Sequence, residues 1–145
     1  MADRIDNAMD KLETALLTLV VANGTGTLRA VARRLLNPVN EPLVPVVCLL
    51  PLSVRRSGGP GSGAVWNLDV AISICTRTRE TASDSSVSAL IAAVQTVIDT
   101  LASGGSAGAA IDLPAWDFWY MPGVANTPCG AHGTIRVRIQ GNLAV

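Results

Sequence analysis

The sequence has 145 residues, a length that fits one domain, and its 11 basic and 11 acidic residues give a formal net charge of zero. Hydrophobic residues make up 49% and charged residues only 15%, against about 25% in typical globular domains. The charge balance excludes the basic excess that a free-standing nucleic-acid binder shows. The low share of charged residues favours a protein whose surface is partly covered by neighbouring subunits.

The basic residues are nearly all arginine, with Lys11 the only lysine. Arginine suits interfaces better than lysine does, but a GC-rich genome that favours arginine codons would give the same composition. Three cysteines, Cys48, Cys75 and Cys129, do not make a disulfide framework, which predicts a reduced, intracellular setting. No signal peptide and no membrane contact are expected, because the longest apolar stretch, 43–52, is short and holds two prolines.

The first part of the chain predicts one helix followed by strands. Apolar residues recur at three- and four-residue steps over 3–22, and Asn23-Gly24 supplies a stop signal. Residues 27–36 are compatible with either a strand or a short helix. Residues 43–50 have the composition of a strand, and Pro45 predicts an edge strand or an irregular start.

The second part predicts a hairpin, a long helix and further strands. A Gly- and Ser-rich loop at 57–63 joins the strand at 43–50 to an alternating strand at 64–77, in antiparallel pairing. The remaining predicted elements are a helix at 84–102 with capping side chains at 83–85, a loop at 103–110, and strands at 113–121 and 133–140. This order predicts an α+β fold over residues 1–145, a single domain with a mainly antiparallel β-sheet and two main helices packed on one face.

The one histidine, His132, follows Cys129 by three residues. This pair could form half of a zinc site, or a small Cys/His-dependent catalytic or ligand-binding site with nearby Asp117. The alternative is that residues 128–133 form an ordinary turn before the last strand. A zinc site would need the other two cysteines, which lie in apolar strand patterns, and neither a Walker A loop nor a nucleophile elbow is present. We therefore expect no catalytic residue, metal or cofactor, and no enzymatic activity.

Four of the five aromatic residues lie between positions 116 and 120: Trp116, Phe118, Trp119 and Tyr120. In an extended segment, Trp116, Phe118 and Tyr120 share one face, and Trp119 lies on the other face with Met121. Aromatic residues and methionine are enriched at interfaces, although ordinary core packing would also explain them. We predict that one face packs in the core and the other contacts a partner, so all four are interface candidates.

Two arginine pairs, Arg77 with Arg79 and Arg136 with Arg138, have the two-residue spacing that places each pair on one strand face. In a ring they could contact acidic groups of a neighbouring subunit or face a lumen that carries DNA. Surface arginines are common, so a solvated sheet face is the alternative. These four arginines complete the candidate interface residues.

The element order resembles the tail terminator (tail-completion) proteins of long-tailed bacteriophages. The resemblance rests on an N-terminal helix, a Pro-rich strand at 42–51, a Gly-rich loop, the long strand from Val65 to Thr78, the helix at 84–102 and the terminal strands. It spans nearly the whole chain but includes no diagnostic short motif. The aromatic cluster at 116–120 and the loop at 104–112 depart from the family pattern.

The resemblance implies a structural virion protein at the junction of tail and neck, assembled in the host cytoplasm. Members of the family form hexameric rings that cap the tail tube and join it to neck or connector proteins. DNA passes through the lumen, and there is no catalytic residue to transfer to this chain. The departures leave two alternatives of the same class, a head-completion adaptor or a tail tube protein. The apolar, charge-poor composition suits such a ring subunit.

Overall fold

The computed structural model describes residues 3–20, 28–57, 63–77, 83–103, 111–121 and 128–144. Within these ranges the chain forms two helices and six strands. In chain order they are α1 (Arg4–Leu17), β1 (Ala30–Ala32), β2 (Val46–Arg56), β3 (Val65–Arg77), α2 (Ser83–Ser103), β4 (Ile111–Asp112), β5 (Asp117–Tyr120) and β6 (Pro128–Gln140).

The strands form one mixed sheet in the order β1-β2-β3-β6-β4, and β5 also pairs with β6. Every pairing is antiparallel except that of β1 with β2. The three long strands β2, β3 and β6 are the centre of the sheet, and the three short strands flank them. The fold is therefore α+β in a single domain with a mostly antiparallel sheet, as predicted.

Both helices pack on the same face of the sheet, which we call the inner face; the opposite one is the outer face. The alternation in β3 explains why, since its large aliphatic side chains, Leu68, Val70, Ile72 and Ile74, point to one side. The buried core joins residues of the sheet to three residues of each helix: Leu68, Val70, Ile72 and Ile74 of β3; Met9, Leu12 and Leu16 of α1; and Leu90, Val94 and Ile98 of α2. This arrangement leaves the outer face without a helix in the described chain.

Helix α1 is shorter than the predicted 3–22. The carboxylate of Asp3 accepts a hydrogen bond from the backbone N–H of Asp6 at 2.8 Å and caps the start. The helix ends at Leu17 because the following residues pair with a later part of the chain. The backbone N–H of Leu28 donates to the carbonyl oxygen of Leu19 at 3.0 Å, and Val20 forms a β-bridge with Leu28. The predicted stop signal, Asn23-Gly24, lies outside the described residues.

Strand β2 starts later and runs further than the predicted 43–50. Pro45 precedes it, so the irregular start was predicted correctly, and 30–32 within the ambiguous segment is a strand. Beyond Cys48, β2 has no described partner on the side of β1, because β1 is only three residues long. Pro51 lies in this one-sided part, beside a register shift against β3. Proline lacks the N–H that a strand ladder uses, so such one-sided strands and irregular positions are where it is tolerated.

Strand β6 begins at Pro128, and the predicted turn at 128–133 is wrong. The first half of β6 pairs on both sides, with β3 and with β5. The predicted strand at 113–121 is two short strands with an irregular link. Helix α2 confirms the prediction for 84–102. The side chains at 83–85, and most of the predicted loops at 57–63 and 103–110, lie outside the described residues.

Candidate interaction surfaces

A segment between β1 and β2, residues 33–45, folds over one end of the outer face; we call it the strap. Leu36 and Val44 of the strap pack against a small buried cluster of Val46, Cys48 and Cys75. The strap therefore covers the end of the sheet where β1 and β5 lie. The other end of the outer face has no such cover among the described residues.

An ion pair between a buried carboxylate and a half-exposed arginine holds the strap in its own shape. Both Nη atoms of Arg34 donate to the carboxylate of Glu41 at 2.6 Å, and the backbone N–H of Asn37 donates to the same carboxylate at 2.9 Å. The Glu41 side chain is 1% exposed. The hydrogen bonds from Arg34 lower the pKa of Glu41 and outweigh its desolvation, so the carboxylate stays ionised.

The predicted interface arginine Arg77 also holds the strap. Its Nη2 atom donates to the carbonyl oxygens of Val39 at 3.1 Å and Pro38 at 3.4 Å. A guanidinium that binds two backbone carbonyls joins the end of β3 to the middle of the strap. Its candidate partner Arg79 lies outside the described residues.

The other arginine pair lies on the open part of the outer face. Arg136 forms an ion pair with Asp69 on the neighbouring strand, with Nε and Oδ1 3.3 Å apart. Asn67 of β3 stands between Arg138 of β6 and Arg55 of β2, so these three residues form one row across the sheet. This end of the outer face is polar and arginine-rich, as the two-residue spacing predicted.

The structure divides the four aromatic candidates. The indole N–H of Trp116 donates to Oε1 of Gln95 at 2.8 Å, and its ring packs against the core, so Trp116 joins the inner face to α2. Trp119 points to the outer face and packs against the cluster under the strap. Phe118 and Tyr120 are 56% and 66% exposed. The exposed pair thus lies on β5, beside the packed Trp119.

Further exposed apolar side chains lie away from the aromatic cluster. Leu52 on the one-sided part of β2 is 57% exposed, and three strap residues are also exposed: Leu35, Val39 and Leu43. Sequence reasoning missed all four. A signal existed for Leu52, which breaks the alternation of β2 next to Pro51, but none marked the strap, whose apolar residues have no periodicity.

Cys129 and His132 do not form a site. Their odd spacing in a strand places them on opposite faces of β6: Cys129 is buried against Val87 of α2, whereas His132 is exposed. Burial raises the pKa of Cys48 to about 11 and that of Cys75 to about 12, so both thiols are protonated at neutral pH. Within the described ranges, no group of three or more His, Cys, Asp or Glu residues could hold a metal ion.

No helix among the described residues is both long enough and apolar enough to cross a membrane. No protein-family model matches the chain. No curated protein is significantly similar to it in sequence.

Proposed function

We propose that the chain is a ring-forming structural subunit of a phage virion, a tail terminator that caps the tail tube and joins it to the neck. The observation that carries the proposal is the placement of exposed apolar side chains at two different sides of one sheet. Phe118 and Tyr120 lie on the β5 side, and Leu52 lies on the β2 side. A cyclic oligomer with head-to-tail contacts uses two different surfaces of each subunit.

The outer face supports the same proposal. Its open end carries Arg55, Arg136 and Arg138, of which Arg136 is paired with Asp69, and the whole chain is neutral. A lumen that DNA crosses without sequence recognition needs polar groups that can contact phosphates and no large excess of basic residues, since phosphate binding grows with each unpaired cation. In the proposed ring this face lines the passage.

The strap supplies a third surface for a different partner. Its exposed residues Leu35, Val39 and Leu43 belong to a segment that Arg34, Glu41 and Arg77 hold in place. A surface that is ordered before binding loses little conformational freedom on docking. We assign it to contact with the tail tube protein or with the neck and connector proteins.

Light scattering after size exclusion, with negative-stain electron microscopy of the same fraction, tests the proposal. A discrete closed ring of about six subunits is expected, since cyclic symmetry gives a defined stoichiometry. Open-ended polymers would favour a tail tube protein instead. A stable monomer at high concentration would contradict the ring.

A further inference from the structure

Two lateral edges of the sheet carry unpaired charges of opposite sign. On the β2 edge, Arg55 and Arg56 are exposed; on the β4–β5 edge, Asp112 and Asp117 are exposed. None of these four forms an ion pair with any described residue, although Arg56 lies over the ring of Trp66 at 4.9 Å. The basic edge comprises residues 51–56, and the acidic edge comprises residues 111–120.

Three other described arginines pair their charges locally, whereas Arg29 and Arg138 are exposed and form no ion pair with a described residue. Arg33 contacts three acidic groups of α1, with Asp10 nearest at 2.6 Å; Arg34 pairs with Glu41; and Arg136 pairs with Asp69. What distinguishes the two edges is their sign, since one carries two exposed arginines and the other carries two exposed aspartates. It indicates complementary groups outside the chain.

The two edges cannot meet within one subunit. Strands β3 and β6 separate β2 from β4 and β5, and strands in a sheet lie about 4.8 Å apart, which puts the edges roughly 14 Å from each other. That distance exceeds the Debye length of about 8 Å at physiological ionic strength. The edges also face in opposite directions across the sheet. Only a second copy can bring a basic edge against an acidic one.

Both edges carry apolar side chains beside their charges. Leu52 shares strand β2 with Arg55 and Arg56, and Phe118 and Tyr120 share strand β5 with Asp117. Pro51 lacks an N–H and blunts continuous strand pairing at the basic edge. A contact between these edges would therefore be made by side chains, and it would combine apolar and charged groups, as protein interfaces commonly do.

We propose that the basic edge of one subunit binds the acidic edge of the next copy, head to tail. The inference rests on the self-association in the proposed function. It adds which two edges of neighbouring subunits meet and in which order. Charge complementarity fixes which edge binds which, because like charges placed together are unfavourable. Each subunit then presents one free edge of each sign until the ring closes.

A charge-swap experiment tests the contact. Variant A carries Arg55→Glu and Arg56→Glu, so both of its edges are acidic. Variant B carries Asp112→Arg and Asp117→Arg, so both of its edges are basic. Each variant alone should lose self-association by roughly a hundredfold or more, because like charges now face each other. An equimolar mixture should restore the wild-type mass with alternating subunits, and rescue shows that both variants fold.

Lys11→Glu, on the exposed side of α1, is the matched control and should keep the wild-type mass. If A and B each assemble like the wild type, or if their mixture stays dissociated, the edge contact is wrong even where the wild type forms a ring. A wild type that stays monomeric contradicts the contact and the ring together. Long wild-type polymers that A and B abolish and their mixture restores support the contact and contradict the terminator.

Discussion

Glu41 shows how one buried charge can organise a surface segment. Its carboxylate accepts hydrogen bonds from Arg34 and from the backbone of Asn37, and it has almost no contact with solvent. The strap contains no regular secondary structure, so this pair replaces the backbone ladders that hold helices and strands. A buried carboxylate is expensive unless it is paired and hydrogen-bonded, and three hydrogen bonds to its two oxygens meet that need here.

We expect Glu41→Gln to lower the free energy of unfolding by about 1–3 kcal/mol at neutral pH, because it removes a charged partner from a buried hydrogen-bond group. The folded pKa of Glu41 is below its ordinary value of 4.5. The stabilisation is therefore present above 4.5 and is lost as the pH falls through the folded pKa. The difference between wild type and variant should shrink on acidification.

Urea unfolding followed by circular dichroism over a pH series measures that difference. Glu13→Gln is the control, since Glu13 is a partly exposed partner of Arg33 at 3.7 Å, and surface ion pairs contribute about 0–1 kcal/mol. A gap between wild type and Glu41→Gln that stays constant with pH would show that the carboxylate charge does not stabilise the strap.

The buried thiols give a second expectation at this scale. The raised pKa values of Cys48 and Cys75, about 11 and about 12, keep both groups protonated, and the thiolate is the reactive form. Ellman's reagent at mildly alkaline pH should leave the native protein unmodified and titrate three thiols after denaturation. Leu52→Cys, at an exposed position, should add one fast-reacting thiol. Rapid labelling of the native wild type would contradict the buried positions.

At the scale of elements, strong periodicity predicted the structure and tertiary pairing decided the boundaries. The alternation in β3 and the apolar stripe of α2 predict those elements from local sequence alone, with no knowledge of tertiary contacts. Helix α1 ends early because Val20 pairs with Leu28, and no local signal at Leu17 shows this. The start of β6 was missed because Pro128, Gly130 and Gly133 look like turn residues, although the close approach of neighbouring backbone requires the two glycines.

Gly130 is the clearest case. A Cβ atom there would collide with the backbone carbonyl of Ile74 on β3 and lie 3.0 Å from Cζ2 of Trp119. We expect Gly130→Ala to lower the free energy of unfolding by about 1–3 kcal/mol, the usual cost of overpacking. Gly63→Ala is the control, because a Cβ there meets nothing within 4 Å. Equal melting temperatures for the two variants would contradict the close approach of β3 and β6.

The candidate surfaces were less predictable than the fold. The sequence located the aromatic cluster but could not separate Trp116 and Trp119, which contact Gln95 and the strap cluster, from the exposed Phe118 and Tyr120. That separation depends on where α2 and the strap lie. Arg55 drew no attention because its row with Asn67 and Arg138 exists only once the register of three strands is known.

At the scale of the whole molecule, the exposed and the packed aromatic residues of β5 have different expected roles: the exposed ones mediate assembly and the packed one stabilises the fold. Phe118→Ser together with Tyr120→Ser should weaken self-association and leave the monomer's unfolding unchanged within about 0.5 kcal/mol, since both side chains are exposed. Trp119→Ala should instead lower the free energy of unfolding by about 2 kcal/mol or more, because its ring packs in a cluster. Light scattering and urea unfolding of both variants measure the two effects. If the double serine variant has the same mass in solution as the wild type, the exposed residues of β5 do not contribute to the interface.

The late position of β6 has a consequence for how the protein is made. Strand β6 pairs with β3, β4 and β5, and the backbone of Arg4 bonds to Leu143, so the sheet is incomplete until residue 143 has left the ribosome. At roughly 5–20 residues per second, several seconds pass between synthesis of β3 and of β6. During that time the long apolar strand β3 has one open edge. Unpaired strand edges make incomplete chains prone to aggregate, so we expect wrong pairing, and binding by chaperones, to be most frequent in this interval.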